Sequence, residues 1–293
     1  PPPRILLRMD VFKIIGGQQL SGTVRASGSK NSALPLFAAS LLTEDESIIE
    51  NVPNLSDIQF MAEIIAGLGA DVEKLDANTW RINPKEIVHF APYDLVRKMR
   101  ASICLLGPLA ARLGRAEIPM PGGCVIGNRP IDLHIRALES LGAKVELKAG
   151  VVQIDAENLK GSSIFMGGRH GSTVTGTANA IMAASLSQGI TTLDGAACEP
   201  EIVDLCEMLT KMGAIIHGMG SHRLEIQGVS KLHGCHHRVI PDRIETATYA
   251  IAAGITNGEI CIQDCQPKHL GAFANVMQEC GMEMEIDPES RWP

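Results

Sequence analysis

The chain has 293 residues, 45% of them hydrophobic, 20% charged and only 3% aromatic, with a formal net charge of -7. That length suffices for two domains with a core each, and the shortage of aromatics requires an aliphatic interior. The acidic balance excludes broad nucleic-acid binding, which needs a basic footprint, so any anionic ligand must be held by a few local Lys and Arg.

No run approaches the roughly 20 apolar residues of a membrane span. The start, PPPRILLRMDVFK, lacks the apolar stretch of a secretory signal. The expected compartment is the cytoplasm, where thiols stay reduced. Most of the eight cysteines (Cys104, Cys124, Cys198, Cys206, Cys235, Cys261, Cys265, Cys280) fall in aliphatic runs such as EIVDLCEML and GEICIQDC, where free Cys acts as a small hydrophobe. Met9 reads as a natural start and ESRWP as the middle of a strand, so both ends are expected to be those of an incomplete chain.

In chain order, a helix, short strand and proline loop recur as LFAASLLTEDESIIENVP, LAARLGRAEIPMPGG, MAASLSQGITTLDGAACEP and IAAGITNGEICIQDCQP, with Pro53, Pro121, Pro200 and Pro267 in equivalent places. Each is followed by a second helix closed by a glycine and then by short alternating strands: IIAGLGADVEKL, LESLGAKVELK, LTKMGAIIHG and MQECGMEMEI. The glycines Gly69, Gly142, Gly213 and Gly281 stand 73, 71 and 68 residues apart. Each unit reads as helix, strand, loop, helix, glycine cap and strands, an α/β module with an interior helix and an outer sheet. Three units fill 25–240, and a fourth opens near Pro241 and is cut short.

Several segments place cations or a thiol at helix starts, where free N–H groups and the helix dipole favour an anion. In RASGSKNSALP, Ser27, Gly28 and Ser29 precede a strong apolar helix, and Lys30 and Asn31 fall in its first turn. The alternative is a solvated lysine on a capped helix. In YDLVRKMRAS, Arg97, Lys98 and Arg100 precede another helix; Arg100 is the best anion candidate, because Ala101 and Ser102 are small, and a wet surface face is the alternative for the trio. In PGGCVIGNRPID, glycines around Cys124 mark a mobile loop, Pro130 suits the first position of the next helix, and Asn128 or Arg129 leads into it. A thiol beside an arginine and a helix N-terminus has a depressed pKa and can exchange a proton near pH 7; the alternative is inert packing. KLHGCHHRVIPDR gathers His233, Cys235, His236 and His237, but the spacing fits no zinc pattern and adjacent His residues point to opposite sides, so a polar connection between domains is expected. Downstream, Asp242 and Arg243 open another capped helix. No metal is expected.

SGSKNSALP, YDLVRKMRAS, PGGCVIGNRPIDLH, EPEIVDL and VIPDRIET together resemble the UDP-N-acetylglucosamine 1-carboxyvinyltransferases (UDP-N-acetylglucosamine enolpyruvyl transferases), from about Met9 to the end. The cysteine loop with RPxDLH is the specific part; the sister 3-phosphoshikimate 1-carboxyvinyltransferases share the architecture but lack that loop.

The resemblance implies an inside-out α/β barrel of βαβαββ units. One complete three-unit domain would span 25–240, with 241–293 the first, incomplete unit of a second domain and 1–24 a segment belonging to that second domain. It implies transfer of the enolpyruvyl group of phosphoenolpyruvate to the 3′-hydroxyl of UDP-N-acetylglucosamine with release of phosphate, without cofactor, by a monomer acting in the cytoplasm in peptidoglycan synthesis. Cys124 matches the proton donor, alkylated by fosfomycin, and Lys30 is the other catalytic match. Lys30, Asn31, Arg100 and Arg129 match phosphoenolpyruvate contacts. Asn31, Arg100, Arg129, Pro130, Ile131, Asp132, Leu133, Thr173, Val174 and Thr175 match sugar-nucleotide contacts. A lysine usual just before TVTGT is missing, with Arg169 nearby. The family's hydroxyl-deprotonating aspartate and a further arginine belong to two units beyond this sequence, so the 293 residues are expected to be a fragment of a longer enzyme, binding weakly and turning over poorly. The rivals are a 3-phosphoshikimate-type transferase and a noncatalytic relative acting as a binding module.

Overall fold

Gly69, Gly142, Gly213 and Gly281 all sit at positive φ, 109°, 100°, 103° and 88°. Each follows the last turn of a helix, where a left-handed residue closes the cap and only glycine does so without strain. The computed structural model describes residues 11–97, 99–120, 130–169 and 171–286. They divide into two compact units, residues 27–242 and residues 11–26 with 243–286.

In the larger unit the first repeat comprises α1 (Lys30–Ala39), β2 (Ser47–Glu50), α2 (Ser56–Gly67), β3 (Asp71–Lys74) and β4 (Trp80–Asn83), after β1 (Ser21–Arg25) of the other unit. The second has a short α3 (Tyr93–Val96), a 3-10 segment (Arg100–Leu105), α4 (Leu106–Leu113), β5 (Arg115–Pro119), α5 (Asp132–Ser140), β6 (Lys144–Lys148) and β7 (Val151–Asp155). The third has β8 (Ser163–Phe165), a small hairpin of β9 (Gly167–Gly168) and β10 (Gly171–Ser172), α6 (Val174–Ser185), β11 (Ile190–Asp194), α7 (Pro200–Lys211), β12 (Ile215–His217) and β13 (Arg223–Gln227). β14 (His236–Arg238) ends this unit. The smaller unit continues with α8 (Arg243–Ile255), β15 (Glu259–Gln263) and α9 (Gly271–Glu279).

The repeats build equivalent sheets. In two of them a leading strand lies parallel to the strand after the first helix, which pairs antiparallel with a hairpin, giving the orders β14-β2-β4-β3 and β12-β13-β11-β8. The middle sheet is β5-β7-β6, with a parallel bridge from Phe90 to Glu117 in the leading place. The first repeat takes its leading strand from β14, at the far end of the unit, while β1 runs parallel to β15 in the smaller unit. Within KLHGCHHRVI, His236–Arg238 therefore form a strand, where a polar connection was expected from the sequence. Alternation of its burial, exposed–buried–exposed, puts His236 and His237 on opposite faces.

The helices lie inside and the sheets outside. Ser32–Ala39 of α1 and Gly176–Ser185 of α6 are buried on every side, as is Leu106–Ala110 of α4, which suits helices apolar all round. Strands such as β13 bury every second residue against this core and turn the rest to solvent. This is the inside-out α/β arrangement implied by the resemblance. α4 and α6 approach closely at Gly107: a Cβ there would stand 2.6 Å from the Asn179 carbonyl oxygen, and the Gly107 amide donates to Asn179 Oδ1 at 2.6 Å.

Cys104 and Cys206 are fully buried, as small hydrophobes should be. Cys261 and Cys280 are exposed, against expectation: β15 buries neither face fully, and α9 buries none of its residues. Among the described residues no helix is long and apolar enough to cross a membrane.

Candidate functional site

The start of α1 is built as its sequence predicts. Ser29, extended at φ -69° and ψ 118°, caps it by accepting the Ser32 amide on its hydroxyl at 3.3 Å. Lys30 opens the helix and Asn31 is exposed beside it. The counter-charge that a lysine needs at this end comes from the protein itself: Lys30 Nζ lies 2.7 Å from Asp57 Oδ2, both side chains being about a third exposed. Asp57 stands in the first turn of α2, where it also complements that helix's dipole. Sequence reasoning missed it; its one signal was an acid at a helix start one element away.

The second cationic segment separates its members. Arg97 is exposed and lies 5.3 Å from the Tyr93 ring, a surface stack. Arg100 is half-buried and opens the 3-10 segment. Ser102, expected to leave room for a ligand, is instead fully buried and donates its hydroxyl to Met99 O at 2.7 Å. Lys98 lies outside the described residues.

Cys124 and Arg129 also lie outside the described residues. α5 begins two residues later than the Pro130 start expected from sequence, with Ile131 at its N-cap and Asp132 in its first turn. Pro130 and Asp132 are exposed, whereas the Ile131 and Leu133 side chains turn into the core. Any role of those two with a ligand falls to their backbone. Thr173 caps α6, accepting the Gly176 amide at 3.2 Å, and Arg169 is exposed between β9 and β10, just upstream. Thr173→Ala should cost about 1 kcal/mol of stability, and Thr173→Ser almost none, as read by thermal unfolding.

One buried residue joins these segments. His134, 2% exposed, places Nε2 3.0 Å from the Thr175 hydroxyl, while its Nδ1 has no hydrogen-bond partner. Burial, reinforced by the Arg100 charge and opposed by Asp132, pushes its pKa down to about 4. The imidazole is thus neutral at pH 7, and Arg100, Asp132 and Thr175, from three repeat elements, share one locus. Asn179 braces it: Nδ2 donates to Ile103 O at 2.9 Å and to Thr175 O at 3.3 Å, tying the Arg100 segment to the first turn of α6. His134 stands within the RPxDLH stretch, but nothing local revealed that it would be buried against Thr175.

The remaining described groups offer little competition. Burial raises the thiols of Cys104 and Cys206 to about 12 and also pushes up Cys198, Cys235 and Cys265. His236 pairs with Glu50 at 2.9 Å, and His237 with Asp204 at 2.7 Å. Among the described residues, no three of His, Cys, Asp or Glu converge as a metal site.

The architecture is that of the enolpyruvyl transferases. It superposes on the enolpyruvyl transferase NikO from Streptomyces tendae with a TM-score of 0.81 at 25% identity, over 93% of this chain and 65% of that one. An EPSP synthase from Acinetobacter baumannii shares the fold at a TM-score of 0.70 and 16% identity, over 90% of this chain and 60% of that one. Residues 14–291 match the model of the EPSP synthase (3-phosphoshikimate 1-carboxyvinyltransferase) family. The chain belongs to that family, on the branch whose curated members are named UDP-N-acetylglucosamine 1-carboxyvinyltransferase. Such relatives include one from Methylacidiphilum infernorum, 51% identical over 96% of this chain, and one from Akkermansia muciniphila, 47% identical over 95%. The chain spans 66% of the length of each.

Proposed function

We propose that this chain carries substrate-binding and proton-donating groups of an enolpyruvyl transferase, which moves the enolpyruvyl group of phosphoenolpyruvate to the 3′-hydroxyl of UDP-N-acetylglucosamine and releases phosphate. This would be the first committed step of peptidoglycan synthesis, in the cytoplasm. The observation that carries the reading is the convergence of the Arg100 segment, the Pro130–Leu133 turn and the Thr173–Thr175 cap around His134. A neutral buried imidazole holds two of these elements together through its bond to Thr175 and leaves the positive charge for a pyrophosphate to Arg100 and its neighbours.

In this reading Lys30, Arg100 and Arg129 neutralise the phosphate and carboxylate of phosphoenolpyruvate and fix its central carbon. Lys30 must exchange Asp57 for the ligand. Asn31, Arg100 and Arg129 together with Pro130–Leu133 and Thr173–Thr175 hold the sugar nucleotide. Cys124 gives a proton to the methylene carbon as the sugar hydroxyl bonds to the neighbouring carbon. A proton of the methyl group so formed is then lost to a base in the site as the C–O bond breaks and phosphate leaves with that bond's electron pair.

Mass spectrometry after incubation with fosfomycin and UDP-N-acetylglucosamine tests the reading. One covalent adduct, at Cys124, is expected among the eight cysteines. An unmodified Cys124 would count against it.

A further inference from the structure

Away from His134, a second cluster of buried polar groups lies where α1, α7 and β14 meet. Asp204 on α7 and His237 on β14 are 1% and 2% exposed, with His237 Nε2 2.7 Å from Asp204 Oδ1. The other carboxylate oxygen accepts the Ser32 hydroxyl and, at 3.4 Å, the Ile240 amide. Lys211 Nζ stands 3.2 Å from His237 Nδ1. An ammonium can only donate, so Nδ1 accepts from Lys211, and the proton on Nε2 points at Asp204.

The cluster reaches the candidate site through the backbone. Ser32 is in the first turn of α1, next to Asn31 and two residues from Lys30. The Ser29 amide donates to Ile240 O and the Asp242 amide to Ser27 O, each at 2.8 Å. The segment after β14 and the lead into α1 are thus bonded to each other, and both are bonded to Asp204. Where packing alone is at stake, apolar side chains replace a buried carboxylate at little or no loss, so this one is better explained by the geometry it fixes.

We propose that Asp204, backed by His237 and Lys211, is a positioning residue that sets the first turn of α1 through Ser32 and so orients Lys30 toward phosphoenolpyruvate. This rests on the functional reading above. The test is calorimetric titration of the chain with UDP-N-acetylglucosamine, and then with phosphoenolpyruvate at saturating nucleotide sugar, for the unmutated protein and for Ser32→Ala, His237→Gln and His237→Leu.

Ser32→Ala is expected to weaken phosphoenolpyruvate binding about tenfold and nucleotide-sugar binding less than about threefold, with little change in melting temperature. His237→Gln, which keeps an N–H for Asp204, should bind phosphoenolpyruvate better than His237→Leu. Should His237→Leu fail to fold, Ser32→Ala and His237→Gln still decide the matter. If the unmutated chain takes both ligands and Ser32→Ala binds phosphoenolpyruvate equally well, the positioning role is overturned alone. It is also overturned if both affinities fall together with the melting temperature. A chain that takes neither ligand overturns the functional reading and this role together.

Discussion

Acidification from neutral pH to about 4 is expected to weaken the unit of residues 27–242 by about 3 kcal/mol through one side chain, His134. Its folded pKa is pushed down to about 4 from a reference of 6.5, first by burial and then by Arg100. Above 6.5 the imidazole is neutral in both states, and its contribution to stability is undiminished. Below 6.5 the unfolded chain takes up a proton that the folded chain refuses, so stability falls with pH until the folded state also protonates near 4. Keeping that proton off the folded state costs roughly 3 kcal/mol of stability by pH 4. Denaturant unfolding at pH 7 and pH 4.5 should show a smaller loss for His134→Gln than for the unmutated protein, even if that variant is less stable at both. Equal losses in the two proteins would remove His134 as the cause.

In an active enolpyruvyl transferase that contains this chain, replacing Cys124 by alanine is expected to lower transfer at pH 7 by about 10²- to 10⁴-fold, the usual span for losing a general acid. The buried thiols of the described residues are unsuited to the task. Cys104 and Cys206 are buried with pKa values near 12, and Cys198 is pushed up by burial and by Glu199. Cys124 alone has glycines around it and an arginine five residues on, at a helix start. Phosphate released from phosphoenolpyruvate in the presence of UDP-N-acetylglucosamine is the readout, with Cys198→Ala as a control that should retain activity. A Cys124→Ala protein within a few-fold of the parent would place the proton donor elsewhere.

The repeat was legible because its marks are local. A glycine that must close a helix at positive φ, and a helix apolar on every side such as that around Phe37 or Met182, declare themselves within ten residues. The Ser29 cap and the place of Lys30 and Asn31 followed from the same short-range rules. What escaped were pairings between distant segments. His236–Arg238 reads as a polar run, yet it completes the sheet of the first repeat because β2, nearly 190 residues earlier, offers a free edge. The start of α5 moved past Pro130 because Ile131 is drawn into the core. Asp57, His134 and Asp204 gained their roles from partners on other elements: Lys30, Thr175 and Ser32.

On the function proposed above, the locus around Arg100, His134 and Thr175 accepts a nucleotide sugar. Parallel calorimetric titrations with UDP-N-acetylglucosamine and with shikimate 3-phosphate address it most directly. Saturable binding of the nucleotide sugar, weakened by Thr175→Val and by Asp132→Ala, with no binding of shikimate 3-phosphate, is the predicted result. Tighter binding of shikimate 3-phosphate, or binding of the nucleotide sugar indifferent to both substitutions, would contradict it.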